Sequence, residues 1–258
     1  MRFLTPNWPD APSNIGALST LRGGGVSAGP YGDGRGGGGL NLGLHVGDAP
    51  GQVEHNRRLL LEVLPQPPLW LSQVHGTRVL DGAALAPGEV PPADASFSRA
   101  AGFVCAILSA DCLPVLLCDA RGSVVAAAHA GWRGLAAGVL GRTVAAMRSA
   151  GAGEILAWLG PAIGARQFEV GSDVLQAFRD GAPDEAARLE VAAAFAPIAA
   201  RPGKYWADLY ALARALLRRD GVERVAGGEF CTVSQPLLFY SYRRDGVTGR
   251  QASLIWRK

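Results

Sequence analysis

Only four histidines occur in this chain of 258 residues, and two of them stand where apolar, strand-like runs break off. His75 follows LWLSQV and precedes Gly76, His129 follows SVVAAA and precedes AGWRG, and Cys112 lies in SADCLP between two apolar runs. Neutral imidazole and thiolate are the ligands zinc prefers. Three of them leave one coordination position open for water or substrate, the mark of a catalytic rather than a structural zinc. The intervals between the three residues match no short zinc-finger signature. Two other readings fit the same residue types. Both histidines could be hydrogen-bonded structural groups with Cys112 as a small core residue, or Cys112 could pair with either histidine as a metal-free nucleophile and base. A structural zinc would demand a fourth ligand, for which Cys118, Cys231 and His45 are available.

Strand ends are where a rigid scaffold hands side chains to a cleft, so the elements around the trio matter. Apolar runs of strand length cover Leu69 to Val74, Phe103 to Leu108, Leu113 to Cys118, Ser123 to Ala128 and Glu154 to Leu159. Helical periodicity covers Gln52 to Val63, Leu135 to Ala150, Ser172 to Arg179 and Asp208 to Arg219. Several strands follow one another without an intervening helix, which predicts an α/β (mixed α+β) fold, a sandwich of mixed sheets flanked by helices, over one domain spanning residues 1–258. The glycine-dense stretch from Arg22 to Gly39 reads as a loop, since it can neither pack side chains nor hold a helix. It lacks both the Walker spacing and a strand leading into GxGxxG. The segment DEAARLEVAAAFAPIAA reads as a short helix followed by a loop, and Asp245-Gly246 as the turn of a final hairpin.

Composition narrows the class of function. With 48% hydrophobic residues the chain can bury a large core, and 25 basic against 22 acidic residues leave a net charge of +3. That balance predicts neither a nucleic-acid nor a membrane surface and favours a small-molecule ligand. No stretch reaches the roughly 18 consecutive apolar residues of a membrane span, and MRFLTPNWPD carries no signal-like apolar region, which predicts a cytoplasmic protein. Four cysteines are few for this length, and three lie in or beside apolar runs, so they read as reduced thiols.

The motifs RGGGVSAGPY, LNLGLHVGD, HNRR, LSQVHGTRV, SADCLPVLL, AAHAGWRGL, LGPAIGARQFEVG and SQPLLFYSYRRDGVTGRQASLIW occur in that order. Together, from Arg22 to Trp256, they closely resemble the YfiH-like family. That family was named for multicopper polyphenol oxidase (laccase) activity, is also called a peptidoglycan editing factor, and has been reassigned as a zinc-dependent purine nucleoside phosphorylase and adenosine deaminase. The resemblance places the metal ligands on His75, Cys112 and His129, the trio already singled out by residue type and placement. The glycine run before LNLG is longer than the family's usual link.

The resemblance implies phosphorolysis of adenosine, inosine and guanosine, deamination of adenosine, and cleavage of methylthioadenosine. A monomer or weak homo-oligomer is expected. The H-x-E and P-C-x-x-C deaminase signature is absent, so deamination would need another proton relay, and Asp111 beside the cysteine is the candidate. Phosphate would be held by cationic forks and polar groups. Arg57 in HNRR leads these candidates, with Asn41, Asn56, Arg22 and Arg133 behind it. The arginines of the carboxy-terminal block, Arg243, Arg244 and Arg250, read as neighbours of a hairpin, and His45 as an additional polar group. Phe168, Trp132 and Tyr242 could stack on a purine, although a core role is the commoner use of such residues. Two histidines outside the trio are too few for a four-copper oxidase, while copper could still replace zinc at the same three ligands. Editing of a muramyl precursor would instead require amidase-like chemistry from the same centre.

Overall fold

The computed structural model describes residues 2–84 and 88–258. The first part of the chain holds β1 (Phe3–Leu4), β2 (Ile15–Thr20), β3 (Gly23–Ser27), α1 (Pro50–Leu61), β4 (Val79–Asp81) and β5 (Ala95–Ser98). Then come β6 (Val104–Ser109), β7 (Leu113–Asp119), β8 (Val125–Ala130), α2 (Trp132–Ala136), α3 (Val139–Ser149) and β9 (Ile155–Leu159). The remainder is β10 (Glu169–Gly171), α4 (Ser172–Asp180), α5 (Glu185–Ala192), β11 (Phe195–Pro197), β12 (Lys204–Ala207), α6 (Leu209–Arg219), β13 (Arg224–Gly227), α7 (Tyr242–Asp245) and β14 (Gln251–Arg257).

Two sheets make the sandwich. One has four strands in the order β1-β2-β14-β6, the other six in the order β13-β9-β7-β8-β5-β4, and a small third sheet runs β10-β12-β11. The six-stranded sheet is mixed: β13 with β9 and β4 with β5 are parallel, and the other pairings are antiparallel. Because side chains alternate across a strand, each central strand feeds two cores. Leu116 and Cys118 of β7, Val125 and Ala127 of β8, and Leu156 and Trp158 of β9 face Cys105 and Ile107 of β6 and Ile255 of β14 between the sheets. Leu113, Val115 and Leu117 pack outward with Leu140, Val144, Leu212 and Leu216 of α3 and α6. The outer face of the smaller sheet packs Val104, Ala106 and Leu254 against Leu40, Leu42 and Leu60. Strands buried on both faces need continuous apolar runs, which is why β6 and β7 read so plainly in the sequence. Each fully buried leucine contributes about 1.5–3 kcal/mol.

The mixed-sheet sandwich agrees with the sequence reading, and five differences have local causes. Leu69 to Val74 forms only isolated bridges, Leu69 to Cys105 and Ser72 to Pro92, because its path bends toward the site instead of joining a sheet. The glycine-dense stretch is not all loop: β3 lies within it, and Gly23 and Ser27 both bridge Gly39. The helix expected from Leu135 to Ala150 breaks in two at Gly138, whose φ of 91° no helix accepts. The segment after α5 becomes β11, paired with β12. No hairpin forms at Asp245-Gly246, where the chain makes the short α7 capped by the Ser241 hydroxyl. Among the described residues no helix is long and apolar enough to cross a membrane.

Candidate active site

The alternation that builds the inter-sheet core also delivers the site. His129 extends the inward row of Val125 and Ala127 on β8, Ser109 extends that of Cys105 and Ile107 on β6, and Cys112 continues that of Leu116 one residue ahead of β7. In the register of β7 with β8, His129 stands opposite Pro114. His75 arrives from the bent segment before β4. The potential ligand atoms of His75, Cys112 and His129 all lie within 4.8 Å of one another, and no other such group of histidine, cysteine or acidic side chains exists among the described residues. Cys112 Sγ is 3.7 Å from His75 Nε2.

Asp94, which sequence reasoning missed, ties this group together. Its carboxylate is fully buried and lies 2.9 Å from His129 Nδ1. It also accepts the backbone N–H groups of Val74, His75 and Gly76 at 3.2, 2.9 and 2.7 Å, while its carbonyl accepts from the His129 N–H at 2.7 Å. His75 is left-handed at φ 59° and Asp111 at φ 94°, the only non-glycine residues with positive φ among those described. Such backbone costs about 1–3 kcal/mol per residue and persists only where neighbours fix it. Three bonds to Asp94 do so at the His75 turn.

The charges interact strongly. Burial would raise the Cys112 thiol, but the adjacent His129 charge and hydrogen bonds from both histidines bring it down to about 6. Burial likewise opposes charge on His129, and the Cys112 thiolate with the Asp94 hydrogen bond overcomes it, raising His129 to about 9. Cys105 and Cys118, buried without such partners, are pushed up to about 12. The donor set therefore fits a metal such as zinc. Cys112 is disposed to be a thiolate, and Asp94 at Nδ1 leaves His129 Nε2 for a ligand role. Among the described residues no fourth histidine, cysteine or acidic donor joins the group, so neither Cys118, Cys231 nor His45 makes it a closed structural site.

Around the trio is a cleft of about 580 Å³, lined among others by Gln73, Ser109, Trp132, Phe168, Tyr242 and the cations Arg133, Arg243 and Arg250, with His45 at its edge. Gln73 spends its amide on the Leu108 backbone in both directions. Ser109 lines the cleft, and its buried hydroxyl has no hydrogen-bond partner among the described residues. Arg250 donates through one terminal nitrogen to the Thr248 and Gly249 carbonyls, and among the described residues its other N–H groups meet no acceptor. Arg243 lies over the Phe168 ring and Arg133 over Trp132.

Several expected residues serve otherwise. Arg57 donates twice to the Leu42 carbonyl and stacks on Trp70 at 4.3 Å, and it does not line the cleft. Asn41 is buried, bonded to Asp48, Gly43 and the Arg250 N–H, so it supports the loop behind Arg250. Asn56 bonds Ser27 and the carbonyls of Gly39 and Asn41, and Arg22 bonds the carbonyls of Gly32 and Pro236; both are braces. Asp111 does line the cleft. One of its carboxylate oxygens accepts from the Thr232 hydroxyl at 2.5 Å and the other from the Arg243 N–H at 2.6 Å. That carboxylate fastens the carboxy-terminal block to the cleft. Arg244 is a brace for the same block, donating to the carbonyls of Thr232, Val233 and Phe239.

Comparison with known proteins places this cleft in a family. The family model described as multi-copper polyphenol oxidoreductase laccase matches residues 16–258, and the chain belongs to that family. It is 52% identical to a purine nucleoside phosphorylase of Pseudomonas aeruginosa over 98% of each chain. It is 48% identical to the purine nucleoside phosphorylase YfiH of Escherichia coli, over 99% of this chain and 98% of that one. Among solved structures it resembles a Neisseria meningitidis protein, with a TM-score of 0.90 at 49% identity over all of both chains. It also resembles the YfiH protein of Bacillus licheniformis, with a TM-score of 0.83 at 30% identity over 95% of this chain and 93% of that one.

Proposed function

We propose that the chain is a zinc-dependent purine nucleoside phosphorylase, converting adenosine, inosine or guanosine and phosphate to free purine and ribose 1-phosphate. The observation that carries this reading is the convergence in one cleft of the His75, Cys112 and His129 donors with arginines and aromatic faces. The names of the relatives supply the substrate class. His75, Cys112 and His129 would hold the ion, which when bound supplies a Lewis acid at the cleft floor.

The chain's own residues account for the rest. Arg250, with Arg243 and Arg133, replaces the hydration of phosphate by charge-assisted hydrogen bonds and holds it for attack at C1′. The oxygen of hydrogen phosphate forms the new C1′–O bond as the C1′–N9 bond breaks, the electron pair leaves with the purine, and the proton lost by the phosphate is the one the purine gains. Phe168, Tyr242 and Trp132 offer faces on which the purine stacks while it departs. Deamination of adenosine and cleavage of methylthioadenosine are assigned to the same cleft, and the whole chain acts as one domain around it. A multi-copper oxidase finds no support in the ligand count, since one group of three donors exists among the described residues.

The test is incubation of zinc-replete protein with inosine, with and without phosphate, beside Cys112→Ala. Hypoxanthine released only with phosphate, and lost in the variant together with zinc, supports the proposal. No release from zinc-replete protein rejects it.

A further inference from the structure

We infer that Asp94 is the positioning residue of the metal centre, presetting both histidines through one carboxylate. The inference rests on the metal reading of the trio, and its basis is geometric. One carboxylate oxygen serves His129 Nδ1 and the His75 N–H, and the other serves the Val74 and Gly76 N–H groups. His75 and His129 belong to segments 54 residues apart in sequence, and Asp94 is bonded directly to both. It holds the imidazole of one and the left-handed turn that carries the other. A buried carboxylate would be a heavy desolvation burden for a residue with packing work alone. Here every acceptor bond it makes is spent on a ligand residue or on that residue's immediate neighbours. The strand that begins at the next residue secures its place, because β5 pairs with both β4 and β8.

The two oxygens can be separated by substitution. Asp94→Asn keeps one acceptor oxygen for His129 and the His75 N–H but turns an amide NH₂ toward the Val74 and Gly76 N–H groups, where donor meets donor. Asp94→Ala removes both halves. Loss of such an orienting partner typically weakens metal binding 10–100-fold. Asp94→Ala is therefore expected to raise the zinc dissociation constant by roughly that factor, and Asp94→Asn by less.

The experiment is chelator competition for zinc by the full-length wild type and both variants, with thermal melting of each protein in its stripped and zinc-loaded forms. The expected result is a graded loss of affinity and a smaller zinc-induced rise in Tm, in the order wild type, Asn, Ala. A purely structural role would lower the stripped Tm while leaving the zinc-induced rise and the affinity unchanged, and that result overturns the inference. Failure of the wild type itself to bind zinc would instead overturn the metal reading. If Asp94→Ala does not fold, the decision rests on Asp94→Asn, where wild-type affinity overturns the inference.

Discussion

Removing the metal should expose an unusual thiol. In stripped protein Cys112 titrates near 6 rather than 9, because the attraction of His129 outweighs the cost of burial. At pH 7 that gives roughly 90% thiolate against about 1% for an unperturbed group. The gain in rate is smaller than the gain in thiolate, because nucleophilicity falls with basicity. With a Brønsted coefficient of about 0.4–0.5, three units of lost basicity cost about 20-fold, leaving alkylation at pH 7 only about fourfold faster than usual. The profile is the decisive quantity. Cys112 alkylation should rise about tenfold from pH 5 to 7 and then flatten, whereas an ordinary thiol climbs about 50-fold between pH 7 and 9. The signs follow from the two partners. The Cys112 contribution, from a depressed acid, is lost as pH falls through about 6, and the His129 contribution, from a raised base, is lost as pH rises through about 9. The charged pair therefore exists between those values. Iodoacetamide labelling of stripped protein, read by peptide mass spectrometry in a Cys231→Ser background, measures the profile. Cys105 and Cys118 serve as inert buried controls. An inflection for Cys112 near 9 would refute the electrostatic reasoning, and zinc should suppress its labelling at every pH.

Gly131 sits at the back of the trio. A Cβ there would lie 2.9 Å from Cys112 Sγ and 3.0 Å from His75 Cδ2, although the backbone conformation suits any residue. Gly131→Ala should therefore fold normally yet bind zinc at least about tenfold more weakly in chelator competition, and unchanged affinity would show that the ligands have room to move. Arg250→Ala should raise the KM for phosphate by roughly 10–100-fold while sparing zinc content, the equivalent of losing a charged hydrogen bond of about 1.5–3 kcal/mol. Steady-state phosphorolysis measures this, with Arg57→Ala, outside the cleft, leaving phosphate KM unchanged.

The histidine and cysteine trio was legible in the sequence because strands buried on both faces announce themselves as apolar runs, and the polar residue that ends such a run lies at a strand end. His129 and Cys112 were visible for that reason. Asp94 was not, since its partners at residues 74–76 and at His129 are fixed only by tertiary folding; a lone acid entering an apolar strand, in PPADASF, was the sole local hint. Which arginines line the cleft was hidden for a related cause. Arg57 stands in a conspicuous motif, but its guanidinium is consumed by the Leu42 carbonyl and the Trp70 face. Arg243 and Arg250 instead reach the cleft because Asp111 and Asn41 accept their backbone N–H groups across more than a hundred residues. The helix bounds of α4 and α6 were readable from periodicity, whereas the break at Gly138 depends on a backbone angle that periodicity does not encode.

The proposed phosphorolysis requires phosphate, rather than water or oxygen, to break the glycosidic bond. Phosphorus NMR of zinc-replete protein turning over inosine in phosphate distinguishes these, with hypoxanthine quantified in parallel. Ribose 1-phosphate formed one-for-one with hypoxanthine is the predicted result; free ribose in its place, or no purine release, would contradict the account.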